Sequence, residues 1–128
     1  MSLRSPVGRV LGLGTAKDGV GHWWMQRVTS IALVVLALWF VSALIRMGGF
    51  ANYAVVTTWI GQPLNSVLLI LLIGTVVYHS QLGVQVVVED YVGGGLKIVT
   101  MLLINFIHVG LAAAGIFAVL KIAFGTSA

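Results

Sequence analysis

No cysteine occurs anywhere in the 128 residues, which excludes disulfides, thiolate metal sites, iron–sulfur ligation and a cysteine nucleophile together. Any metal held by this chain takes histidine or oxygen ligands. Charge is nearly as scarce: seven basic and three acidic side chains amount to 8% of the sequence, against 59% hydrophobic residues. A soluble domain of this size needs roughly a quarter of its residues charged to cover its surface. Lipid is therefore the expected solvent, in keeping with a mean hydropathy of +1.08. The sequence pI near 10.0 would suit a nucleic-acid partner, but the basic residues stand singly, with no cluster to neutralise a row of phosphates. Gly8, Gly12 and Gly14 follow no predicted strand, which argues against a nucleotide-binding loop.

What is present is apolar and comes in three runs. The first 27 residues carry Arg4, Arg9, Lys17 and Arg27 and no apolar core long enough for a signal peptide, so they read as a retained tail. Val28 to Ile45 then gives a helix of about 27 Å, close to the thickness of the hydrocarbon layer. Arg46, Gly48, Gly49, Asn52 and Pro63 mark a loop that also holds the interfacial aromatics Tyr53 and Trp59. The second run, Leu64 to Val88, ends at Glu89, Asp90 and Tyr91. A turn at Gly93, Gly94 and Gly95 leads past Lys97 into the third, from about Ile98 to Leu120. The expectation is an all-α membrane protein: one domain over 1–128, with transmembrane helices near 28–45, 64–88 and 98–120.

Orientation follows from the basic residues near the span ends. A cytoplasmic N-terminus puts Arg4, Arg9, Lys17, Arg27 and Lys97 inside and only Arg46 and Lys121 outside, the bias that sets topology. The C-terminus is then outside. Trp23 and Trp24 fall at the cytoplasmic interface, and Tyr53 and Trp59 at the other.

Within the spans the polar residues are the informative ones. Serine and threonine bond back to their own helix and usually serve packing. His79 is different, because Ser80, Gln81 and Gln85 make its half of the second span far more polar than Leu68 to Ile73. A membrane-buried histidine serves as an interhelical hydrogen bonder, a proton relay or a metal ligand, and position alone leaves all three open. Gly83, one turn on, removes a side chain from the same face, where a flat macrocycle could approach the backbone. Asp90, eleven residues on, returns to that face at the membrane boundary, with Tyr91 beside it. Glu89, Asp90 and Tyr91 read equally well as an interfacial helix end.

The string from His79 through Gly83 to Asp90 and Tyr91 resembles the haem-ligand and quinone-site segment of the haem b-binding hydrophobic membrane anchor of succinate dehydrogenase, complex II. The segment His22-Trp23-Trp24-Met25-Gln26-Arg27-Val28-Thr29 is similar to the lead-in to that family's first helix. The resemblance implies a membrane anchor of a succinate:quinone oxidoreductase in a bacterial inner membrane. It implies three partners: a second three-helix membrane anchor, an iron–sulfur subunit and a flavoprotein subunit. It further implies a haem b shared with the second anchor, with His79 as this chain's axial ligand to the iron and with Arg27 and His22 near a propionate. Tyr91 and Asp90 would belong to a pocket where ubiquinone or another quinone is reduced, and succinate would be oxidised elsewhere.

Three rivals stand beside this reading. His108 lies at about the same depth as His79, which permits an intrachain bis-histidine site. A small proton- or ion-conducting protein would use His79, Gln85 and Asp90 as a relay, though no inverted repeat is visible. A haem-free structural anchor would need His79 only as a hydrogen bonder. Gly110 and Ala114 read as small-residue packing positions, and Asn105 as a helix-helix bond.

Overall fold

In a computed structural model, the protein is described over residues 19–48 and 52–125, together with Val7. The tail bearing Arg4, Arg9 and Lys17 lies outside the described residues, apart from Val7. From residue 19 to 125 the described residues form four helices: α1 (Gly19–Arg46), α2 (Tyr53–Ile60), α3 (Pro63–Tyr91) and α4 (Gly94–Gly125). Of these α1, α3 and α4 are each long and apolar enough to cross a membrane. The described residues are thus all-helical in architecture, with three candidate spans among them.

Each long helix runs past the apolar stretch that announces it. α1 begins at Gly19 rather than Val28, so His22, Trp23 and Gln26 are helical residues. Its 28 residues measure about 42 Å at 1.5 Å per residue, longer than the roughly 30 Å hydrocarbon layer. The surplus carries polar side chains into the headgroup zone. Gly48 ends the helix with φ +72°, a left-handed conformation that glycine adopts without strain.

α2 corrects the expectation of a plain loop between the first two spans. Val55, Val56, Thr57 and Thr58 are β-branched and form helix poorly on their own. Capping supplies what propensity lacks: Asn52 Oδ1 accepts from Ala54 N at 3.0 Å and from Val55 N at 3.3 Å. At the other end the buried Asn65 donates to Trp59 O at 2.9 Å, and the buried Ser66 hydroxyl donates to Ile60 O. Trp59 stacks on Trp39 of α1 with ring centroids 5.5 Å apart.

The three long helices form a row with α3 in the middle. α1 packs on one flank of α3 and α4 on the other, while α1 and α4 make no contact among the described residues. On the α4 flank, Gln81 donates to Asn105 Oδ1 at 2.8 Å, the helix-helix bond expected of Asn105. Among the described glycines of α4 only Gly115 is closely packed, where a Cβ would stand 3.0 Å from Ile73 Cγ2. Gly110 and Ala114, the expected packing positions, are exposed instead, and a Cβ on Gly110 would meet nothing within 4 Å.

Only Val92 and Gly93 separate α3 from α4, and Gly94 has φ +63°. Lys97 Nζ reaches back 3.4 Å to Glu89 O, placing a cation at the C-terminal end of α3, where the helix dipole is negative.

Candidate functional site

Antiparallel packing brings the first turns of α1 beside the last turns of α3. His22, Gln26 and Thr29 recur at four- and three-residue intervals and so share one face of α1. That face meets His79 and Gly83 of α3. Thr29, only 6% exposed, has its Oγ1 2.9 Å from His79 Nδ1, and the Gln26 amide nitrogen is 3.4 Å from His79 Nε2. The imidazole is therefore held from both edges by α1.

Beyond Gln26 a cleft of about 710 Å³ opens between the two helices, lined by His22, Trp23, Gln26, Gly83, Gln85 and Glu89 among others. Arg27 is exposed and outside the cleft lining, with its guanidinium carbon 5.3 Å from the ring centroid of Trp23, which lines it, a cation–π distance. Gln85 Nε2 donates to Glu89 Oε1 at 2.8 Å.

Two buried polar atoms here have no partner, His22 Nε2 and Gln26 Oε1. Such atoms normally find one, and an unmatched buried polar group costs about 1–3 kcal/mol. Gly83 points the same way: a Cβ there would meet only Gln26 Nε2, at 3.9 Å, an ordinary contact. Nothing within the chain requires glycine at that position, whereas an occupant lying flat against α3 would. The His79 imidazole behind Gln26, the side-chain gap at Gly83 and the unpartnered His22 Nε2 suit a planar macrocycle, with His22 able to donate to an acidic edge, whereas Gln26 Oε1 and Glu89 are acceptors and would face away from one. Entry of the macrocycle would require the half-buried Gln26 side chain to swing away from His79 Nε2.

His108 is placed differently. Its Nδ1 donates to Ile104 O at 2.8 Å, and its Nε2 accepts from Ser80 Oγ at 3.3 Å. His79 thus turns to α1 and His108 lies on the α4 flank, with α3 between them. In this arrangement the two imidazoles engage different helices, His79 bonding to α1 and His108 to Ser80 of α3. Among the described residues no group of three or more His, Asp or Glu side chains converges to hold a metal ion.

Asp90 and Tyr91 lie at the C-terminal end of α3, outside the cleft lining. Both are exposed, Tyr91 by 85%, and neither side chain has a hydrogen-bond partner among the described residues. Glu89 takes the place at the cleft that the sequence spacing suggested for Asp90. Gln26 and Glu89 are the site residues sequence reasoning missed. Gln26 falls one turn from His22, a signal available only once α1 is extended back to Gly19.

Comparison with known proteins gives this geometry a context. Residues 1–120 match the family model of the succinate dehydrogenase/fumarate reductase transmembrane subunit. A succinate dehydrogenase hydrophobic membrane anchor subunit from Rickettsia bellii is 33% identical over 89 residues, 70% of each chain. The protein of the same name from Rickettsia conorii is 36% identical over 81 residues, covering 62% of this chain and 63% of that one. The one from Paracoccus denitrificans is 25% identical over 114 residues, 89% of this chain and 88% of its own. No solved structure matches. With nearly its whole length matched, the chain belongs to the succinate dehydrogenase/fumarate reductase transmembrane subunit family.

Proposed function

We propose that this chain anchors a succinate:quinone oxidoreductase in a bacterial inner membrane, N-terminus in the cytoplasm, and shares a haem b and a quinone-reduction site with its partner subunits. The observation that carries the haem part is the cleft that Gln26 alone separates from His79, with the unpartnered His22 Nε2 in its wall. His79 Nε2 would hold the iron from this side. The chain offers no second histidine on that flank of α3 at the depth of His79, so the opposite ligand would come from the second membrane anchor.

Bound there, the haem supplies a one-electron store whose potential is set by axial ligation and burial. The residues of this chain bind and orient. His22 would donate toward a propionate, Arg27 beside Trp23 would match its charge, and Gly83 would leave the backbone open to the ring. Trp23 shields the edge from water. At the end of α3, the free Tyr91 hydroxyl serves as a neutral donor to a quinone carbonyl such as that of ubiquinone, and Asp90 supports proton delivery. Oxidation of succinate would belong to a flavoprotein subunit, joined through an iron–sulfur subunit.

A reduced-minus-oxidised absorption spectrum of the purified complex tests the haem reading. A low-spin b-type signal that disappears or turns high-spin in His79→Ala is the expected result. Its absence from the unaltered complex would favour the second reading, a haem-free anchor, which draws support from the partners that His79 already has in Thr29 and Gln26.

A further inference from the structure

With the Gln26 amide nitrogen turned toward the ring, the contacts around His79 agree on one arrangement of protons. Thr29 has a single hydroxyl proton. Its Oγ1 lies 2.7 Å from Met25 O and 3.2 Å from Gln26 O, and carbonyl oxygens only accept. With the proton directed there, Oγ1 meets His79 Nδ1 at 2.9 Å as an acceptor, and Nδ1 must carry the ring hydrogen. The other edge of the ring agrees. The Gln26 amide nitrogen, a donor with nothing to accept with, lies 3.4 Å from Nε2. That contact calls for a lone pair on Nε2. Two contacts on opposite edges of the ring thus select the same tautomer.

We infer that Thr29 is a positioning residue: it fixes His79 as the Nδ1–H tautomer, sets the rotation of the ring and presents the Nε2 lone pair for coordination. This deepens the haem reading and rests on it for the identity of what Nε2 meets. An imidazole that binds a metal through Nε2 keeps its hydrogen on Nδ1, and an acceptor for that hydrogen orients the ring and raises its basicity. At a membrane-buried position no bulk water replaces a missing acceptor, and Thr29 is itself buried. The bond from Thr29 back to Met25 O, one turn earlier on the same helix, is what leaves the Oγ1 lone pairs free for α3.

Thr29→Val keeps the shape of the side chain and removes the acceptor; Thr29→Ser keeps the hydroxyl. In the assembled complex, loss of the acceptor makes His79 a weaker electron donor, which favours ferrous over ferric iron. Redox titration of Thr29→Val should therefore show a raised haem potential, and haem retention in detergent should fall about tenfold, the low end for such outer groups. Thr29→Ser should restore both. Nitrogen-15 spectra of the haem-free full chain, with His79 assigned by His79→Ala, should show Nδ1–H in the unaltered protein and a tautomer mixture in Thr29→Val. Unchanged potential and retention in Thr29→Val overturn the inference. So does an Nε2–H tautomer at His79 in the unaltered chain, a measurement that decides the matter even if Thr29→Val fails to assemble. If the unaltered complex contains no haem, the haem reading falls, and the tautomer spectrum still judges Thr29.

Discussion

A Cβ built on Gly115 of α4 would stand 3.0 Å from Ile73 Cγ2 of α3 and 3.3 Å from its Cδ1, so the two helices close over a side chain that is not there. Cγ2 is fixed to a β-branched carbon and moves only if the whole side chain changes rotamer. Gly115→Leu should therefore destabilise α3 against α4 by about 1–3 kcal/mol, the usual range for overpacking. Thermal dissociation of the complex should shift to lower temperature, with partial recovery when Ile73→Val removes Cδ1. Gly110→Ala should cost far less, since a Cβ there meets nothing within 4 Å. Equal losses at the two glycines would mean that α4 packs through the Gly110 face.

Reporter fusions should place the N-terminus and the Val92–Gly93 connection in the cytoplasm and the C-terminus outside. Arg4, Arg9, Lys17, Arg27 and Lys97 against Arg46 and Lys121 is the bias behind this. The geometry adds a constraint, because the beginning of α1 and the end of α3 share the cleft near Gly83 and must lie on one side of the membrane. Reporters that put both termini in the cytoplasm would be incompatible with three crossings.

The three spans were legible because an apolar run of that length has few other uses. Their ends were not. Hydropathy marks the part of a helix that lies in hydrocarbon, and α1 continues for nine residues before Val28, through polar and aromatic residues suited to the interface. That extension decides the site, since only a helical His22–Thr29 segment brings Gln26 and Thr29 to His79. α2 escaped notice because its stability comes from Asn52, Asn65 and Ser66 at its two ends and not from its own residues. Helical spacing placed Asp90 on the His79 face, yet Glu89 lines the cleft. A position near a helix end is governed by which turns the neighbouring helix still covers.

His108 and His79 should respond differently to substitution. His108→Ala removes one bond to Ser80 and one to Ile104 O, and interhelical bonds of this kind in membranes are worth about 0.6 kcal/mol on average. The complex should assemble with a low-spin haem spectrum and slightly reduced stability. Loss of the low-spin signal in His108→Ala, with retention in His79→Ala, would transfer the ligand role to α4.

Tyr91 is the last residue of α3 and is 85% exposed, with its hydroxyl unengaged among the described residues. At that exposure the hydroxyl is accessible to a ligand from outside the chain. Its position at the end of an apolar helix allows a quinone to keep its isoprenoid tail in lipid while the head group meets the phenol at the boundary. Donors aimed at an oxygen that gains charge during reduction commonly matter by a few kcal/mol. Tyr91→Phe keeps the ring and deletes the donor. Succinate oxidation with a soluble artificial acceptor should survive this change, because on the proposed function it takes place outside this chain. Succinate:quinone activity should fall at least tenfold, equivalent to about 1.4 kcal/mol of barrier. The haem spectrum should persist, since twelve residues of helix put His79 about 18 Å away along the axis. Full quinone reductase activity in Tyr91→Phe would show that the hydroxyl binds no quinone, leaving Tyr91 as an interfacial aromatic that anchors the end of α3.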